Sequence, residues 1–233
     1  MDDGTDDLRA ALEAPAPPPS VALLGAVGTP ARVRTRSRFG AFAAVALLGL
    51  AWPAYTLAHA ALRPDLKLLP PMWVAVGAAL WGLSFGLALW TALVPRRGDV
   101  LPASAVAGRV AGAAMGLLLV FAAFWTTSVP GVSARPEDLG ISTLQSSWGC
   151  AKVVLEAAAP VLLIGFFALR RLLPVGARAA GIAVGAAGGA IGGLALHFIC
   201  PMATAGHVLI GHVGAMIAAS VAGALIFGAL LDR

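Results

Sequence analysis

The sequence predicts an all-α integral membrane protein: a six-transmembrane-helix bundle with a short cytoplasmic N-terminal tail. Three observations predict it. The chain is 59% hydrophobic and only 12% charged, about half the charge of an ordinary soluble domain. Its mean hydropathy is +0.88. Its apolar runs are about 20 residues long, enough to cross a hydrocarbon core of about 30 Å at 1.5 Å per residue. In lipid, backbone N–H and C=O groups need internal partners, so runs of this length fold as helices.

The tail comes first, as residues 1–38. It is acidic and Pro-rich at its start ("MDDGTDDLRAALEAPAPPPS") and lacks a basic region leading into an apolar core. The first apolar segment is therefore expected to be a retained span rather than a cleaved signal. "DDLRAALEA" suits two helical turns, with Asp6 or Asp7 as cap and Leu8 and Leu12 on one face. "PAPPPS" breaks that helix, and "VALLGAV" adds a second apolar patch. So short a helix is marginal alone in water. Leu8, Leu12, Val21, Leu23 and Leu24 are candidate anchors for a partner protein that binds helices in a groove. The "RVRTRSR" run beside the first span competes for anionic lipid, or serves only as a topology signal.

The transmembrane domain, 39–233, holds six expected spans: about 40–62, 72–94, 104–125, 151–169, 175–199 and 207–231. Pro and Gly mark the breaks in "RPDLKLLPP", "PRRGDVLP", "RRLLPVG" and "CPMATAG". With the N-terminus in the cytoplasm, the inner segments carry twelve of the sixteen Lys and Arg residues. That bias sets the orientation, and an even span count returns the C-terminus to the same side. The net charge of +5 therefore reports topology, and direct nucleic acid binding is not expected. The fifth span, with Gly181, Gly185, Gly189 and Gly193 at steps of four and Gly188 and Gly192 beside them, reads as a packing surface for close helices.

Within the spans, Lys152 and Glu156 form an i, i+4 pair near the outer end of the fourth. The expected role is a local ion pair with the lysine reaching outward; a proton relay would want further acids in the spans. The same end gathers Cys150, Cys200, His59, His197, His207 and His212, which are all the cysteines and histidines of the chain. Three chemistries fit. Cys150 and Cys200 can form a redox pair in an oxidising compartment. His197 and Cys200, at i, i+3, with His207 or His212 and Cys150, can hold a soft divalent metal; His197, Cys200 and His207 are the preferred set. His207 and His212, five apart, point roughly 140° from each other on an α-helix, so sharing a metal needs a distorted turn. Alternatively all are interface residues, with Cys as a small hydrophobe. No cofactor is required by any motif, and a divalent metal is the one candidate.

From Ser147 onward the chain shows Cys150 opening a span, Pro160, "LRRLLP", a Gly/Ala-rich span, "LHFICP" and a last span opening with His. This resembles the NrsF-like membrane proteins, negative regulators of extracytoplasmic-function sigma factors. The resemblance implies six spans in a bacterial inner membrane and a cytoplasmic tail that sequesters such a sigma factor. It also implies two periplasmic cysteines, here Cys150 and Cys200, linked to release under envelope, oxidative, metal or light stress. It implies no enzyme activity. A thiol oxidoreductase would call for a CxxC pair or more cysteines, and a transporter for broken spans or midplane polar groups.

Overall fold

A computed structural model describes residues 38–93, 139–170, 176–202 and 204–231. The tail anchors Leu8, Leu12, Val21, Leu23 and Leu24 and the expected third span lie outside these residues. Among the described residues all regular structure is helical. Five long helices form it: α1 (Arg38–His59), α2 (Pro71–Leu93), α3 (Thr143–Arg170), α4 (Ala177–Ile199) and α5 (Ala205–Leu231). A single 3₁₀ turn, Pro64–Lys67, joins α1 to α2. All five long helices are apolar and long enough to cross a membrane. They match the expected first, second, fourth, fifth and sixth spans.

Burial orders the bundle. The most apolar window of α4 is 72% buried, against 17–39% in the other four helices. The Gly/Ala-rich helix is thus the central one, and α1, α2, α3 and α5 all pack on it. Its glycines divide among three neighbours. Gly181 and Gly185 lie against the backbone of Gly223 and Ala219 of α5. Gly188 and Gly192 lie against Ala158 and Val154 of α3, and Gly193 meets the Trp81 ring of α2. A side chain at these positions would separate the helices, so the small residues set how closely the backbones approach. The outward faces carry Leu47, Leu83, Leu163, Phe167 and Leu225, all exposed. Helices apolar on every side suit a lipid environment.

Two helix boundaries differ from the expected spans in ways that matter for the site. Helix α3 begins at Thr143, well before the expected 151. Its first turns, "TLQSSWGC", are too polar to count in an apolar run, yet they are helical. Ser142 Oγ caps them by accepting the Gln145 N–H at 3.1 Å. Cys150 therefore sits about two turns inside the helix rather than at its end. Helix α1 ends at His59, not near 62, because the chain turns to bond elsewhere. The Arg63 N–H donates to Phe198 O at 2.9 Å, tying this loop to the end of α4.

Candidate functional site

The end of α4 is fixed by the residue after it. Cys200 precedes Pro201, and a residue before proline is pushed out of the α region. Cys200 accordingly closes α4 in extended conformation, with φ −88° and ψ 113°. Its side chain is buried and meets the third turn of α3. There Cys150 Sγ lies 3.4 Å from Cys200 Sγ. Both cysteines are free thiols.

Helix α5 supplies the other half of the site. It opens as an α-helix at Ala205–Val208, continues as a π-helix at Leu209–Gly214, and returns to α at Ala215. A π turn closes i→i+5, which is the spacing of His207 and His212. Their ring centroids are 5.5 Å apart, where a regular α-helix would turn them apart. Cys150, Cys200, His207 and His212 each offer a ligand atom, and these four atoms lie within 4.8 Å of one another. His207 is fully buried, and His212 and Cys200 are buried too.

Hydrogen bonds set the chemistry of His207. The Ser146 hydroxyl donates its one proton to Thr143 O at 2.9 Å. Ser146 Oγ can then only accept from His207 Nδ1–H, 3.1 Å away. The ring is left with a bare Nε2 lone pair, which faces Cys200 Sγ at 3.3 Å. Ser147 Oγ donates to His207 O at 3.3 Å, holding the backbone of the turn. A neutral imidazole lone pair against a thiol can take its proton and raise the thiolate fraction. It can equally bind a metal beside the sulfur.

Of the expected metal set of His197, Cys200 and His207, the structure brings Cys200 and His207 together and leaves His197 apart. His197 is not part of the cluster. The shared helix face assumed for His197 and Cys200 is lost because Cys200 has left the helix. His197 Nε2–H instead donates to Val74 O at 3.0 Å, and its ring packs on Trp73 at 5.1 Å. It pins α4 to the start of α2. His212 instead lies with Cys150, Cys200 and His207, brought there by the π turn. The spacing of five between two histidines was the available signal.

His59 lies apart, donating from Nδ1 to its own helix at Tyr55 O, 2.9 Å away. Lys152 Nζ stands 3.7 Å from Glu156 Oε1, and both side chains are substantially exposed on the bundle surface. A second polar constellation was not visible in the sequence. Arg63 and Asp65 form a buried bidentate pair, with the guanidinium also over the Trp73 ring. Asp65 is completely buried. In the sequence Arg63 counts only as one of the sixteen Lys and Arg residues, and nothing in the spacing marks Asp65 as its partner.

Comparison with known proteins adds a family. No curated protein and no solved structure shows significant similarity to the chain. A family model described as "Negative regulator of sigma F" matches residues 24–232. That span includes every described helix and all four residues of the cluster. The chain therefore belongs to the NrsF family, the negative regulators of sigma F.

Proposed function

We propose that the chain is a membrane-bound anti-sigma factor whose sensor is the Cys150–Cys200 pair. Family membership implies a negative regulator with a sigma factor as partner. In this reading residues 1–38 hold an extracytoplasmic-function sigma factor at the cytoplasmic face of the bacterial inner membrane. The apolar anchors Leu8, Leu12, Val21, Leu23 and Leu24 dock on it. The cluster faces the periplasm, in keeping with the positive-inside bias of the arginines. The protein regulates and does not catalyse.

One observation carries the sensor assignment: two free thiols 3.4 Å apart, with a basic imidazole nitrogen against one of them. The bond length of a disulfide is about 2.05 Å, so a small movement joins the sulfurs. The His207 lone pair takes the Cys200 proton, and the thiolate attacks a hydroperoxide. A sulfenic acid forms on Cys200 and the alcohol leaves. The Cys150 thiol then displaces water, closing the disulfide. Overall two thiols and one hydroperoxide give one disulfide, one alcohol and one water. The new bond ties α3 to α4, the helix on which the other four described long helices pack. A shift of a few kcal/mol between two packings changes the sigma population appreciably.

Two experiments test this. Residues 1–38 fused to a carrier should retain the sigma factor, and deleting them from the chain should abolish repression. Repression that survives the deletion refutes the tail assignment. Cys150→Ser and Cys200→Ser should each leave repression intact and block the response to hydroperoxide. An unchanged response in both reduces the cysteines to packing.

A further inference from the structure

We infer that Cys150, Cys200, His207 and His212 together bind one soft divalent cation of the zinc class. The inference deepens the sensor reading, because it uses the same two thiols, but it stands on separate observations. The first is geometry. Tetrahedral zinc holds sulfur at about 2.3 Å and nitrogen at 2.0–2.1 Å. A regular tetrahedron with those bonds has an S–S edge of about 3.8 Å and an S–N edge of about 3.6 Å. The separations found are 3.4 Å for Cys150 Sγ to Cys200 Sγ and 3.3 Å for Cys200 Sγ to His207 Nε2. No pair among the four exceeds 4.8 Å, so each donor needs to move by roughly 1 Å or less to meet tetrahedral bond lengths.

The second observation is the hydrogen-bonded support of the ring. Metal-binding histidines donate their other N–H to a fixed acceptor, which sets the tautomer and orients the lone pair. Ser146 does this for His207 through the 3.1 Å bond at Nδ1, with its own proton committed to Thr143 O. The third is the π turn. Such turns occur as isolated departures from an α-helix, frequently at functional sites. Here it brings His207 and His212 to one side of α5. Packing alone does not require two histidines there.

Charge decides the class of ion. Binding releases the two thiol protons, so two thiolates, two neutral imidazoles and a dication sum to zero. A neutral assembly is the one that a buried, apolar end of a bundle tolerates. Two sulfur and two imidazole donors select zinc or a similarly soft ion over magnesium or calcium, which prefer oxygen. With the cation bound, both sulfurs are coordinated and shielded from oxidant. Disulfide formation removes two of four donors and both negative charges, and so expels the cation.

The test uses the reduced full chain in detergent micelles, with Co²⁺ as spectroscopic probe and Zn²⁺ as competitor. One Co²⁺ per chain is expected, with thiolate-to-cobalt charge transfer and tetrahedral d–d absorption. Zn²⁺ should displace it and protect both thiols from alkylation until a chelator is added. His207→Ala and His212→Ala should each weaken binding by more than about 100-fold, beyond the roughly 10- to 100-fold that losing a supporting residue costs. His197→Ala should bind as the wild type does. Absence of thiolate-to-cobalt charge transfer in the wild type overturns the inference. So does wild-type affinity in the His207→Ala/His212→Ala double variant. If no metal binds while the disulfide still forms and releases sigma, only the metal site falls. If metal binds while the cysteine variants respond normally to hydroperoxide, only the sensor falls.

Discussion

Gly211 lies on the π turn of α5 where that helix touches α3, and Gly211→Ala separates the two chemistries of the site. A Cβ at Gly211 would stand 2.9 Å from Ser147 O, 3.2 Å from Ser147 Cα and 3.3 Å from Cys150 Cβ. Ordinary van der Waals contact begins near 3.4 Å. The nearest atom is backbone, so α5 has to retreat from α3 by about 0.5 Å, an overpacking cost of about 1–3 kcal/mol. The same retreat stretches the 3.1 Å bond from His207 Nδ1 to Ser146 Oγ beyond hydrogen-bond range, which costs about 1 kcal/mol more. The overpacking cost weighs on the empty and the loaded protein alike, so metal affinity falls through the lost support of His207, by about 10- to 100-fold. The Cys150–Cys200 contact runs from α3 to the end of α4 and does not involve α5. The sulfurs should therefore still close to a disulfide to nearly the same final extent, but more slowly, because His207, the base that takes the Cys200 proton, sits on α5. Cobalt titration reads the first quantity, and alkylation after prolonged treatment with excess hydroperoxide reads the final extent of the second. Gly214→Ala is the control, since its Cβ would meet only Leu209 O, at 3.5 Å. Equal loss of metal binding and disulfide formation in Gly211→Ala, or loss of neither, refutes the reasoning.

Three further outcomes follow from the packing. Ser146→Ala removes the acceptor that fixes the His207 tautomer and should lower metal affinity about 10- to 100-fold while leaving one site per chain; cobalt titration measures it. Gly185→Val drives a side chain into Ala219 and Ser220 of α5 and should cost at least about 1–3 kcal/mol. Thermal unfolding in detergent should show it against Gly82→Val, whose Cβ meets nothing within 4 Å. Asp65→Ala leaves the buried Arg63 guanidinium without its carboxylate and should cost about 3–5 kcal/mol. The double replacement Arg63→Met/Asp65→Leu should recover most of that loss in the same assay.

The helices were legible because lipid leaves an apolar run of about 20 residues few other ways to satisfy its backbone. The close packing of α4 was legible as well, though not its central place: glycines four apart serve little purpose unless another backbone comes close. The limits of that reading are physical. Hydropathy marks what lies in the apolar layer, not where helical hydrogen bonding begins, so the polar first turns of α3 were missed. Cys200 was placed on a helix face with His197, although Pro201 was present to argue against it. His212 was set aside because a uniform period of 3.6 residues was assumed for α5. A π turn adds one residue to a turn through tertiary contacts, and no composition cue announces it. Asp65 and Arg63 meet through a loop fold that depends on Phe198 O, which lies far away in the sequence.

The two chemistries at the sulfurs link different helices, and this gives the site a direction of action. A disulfide joins α3 to α4 alone. A bound cation joins α3, α4 and α5 at once, because Cys150, Cys200 and the two histidines come from three separate elements. Oxidation therefore exchanges a three-helix clamp for a two-helix one. What it releases is the start of α5, left with the Ser146 and Ser147 hydrogen bonds to His207 at 3.1 and 3.3 Å. The rest of α5 stays against the glycine face of α4. The structural change expected on oxidation is thus confined first to the π turn, which already departs from regular helical geometry. Hydrogen exchange should report it there, with faster exchange at 205–214 in the oxidised protein than in the reduced, metal-loaded form. Uniform exchange along α5 in both states would place the coupling elsewhere in the bundle.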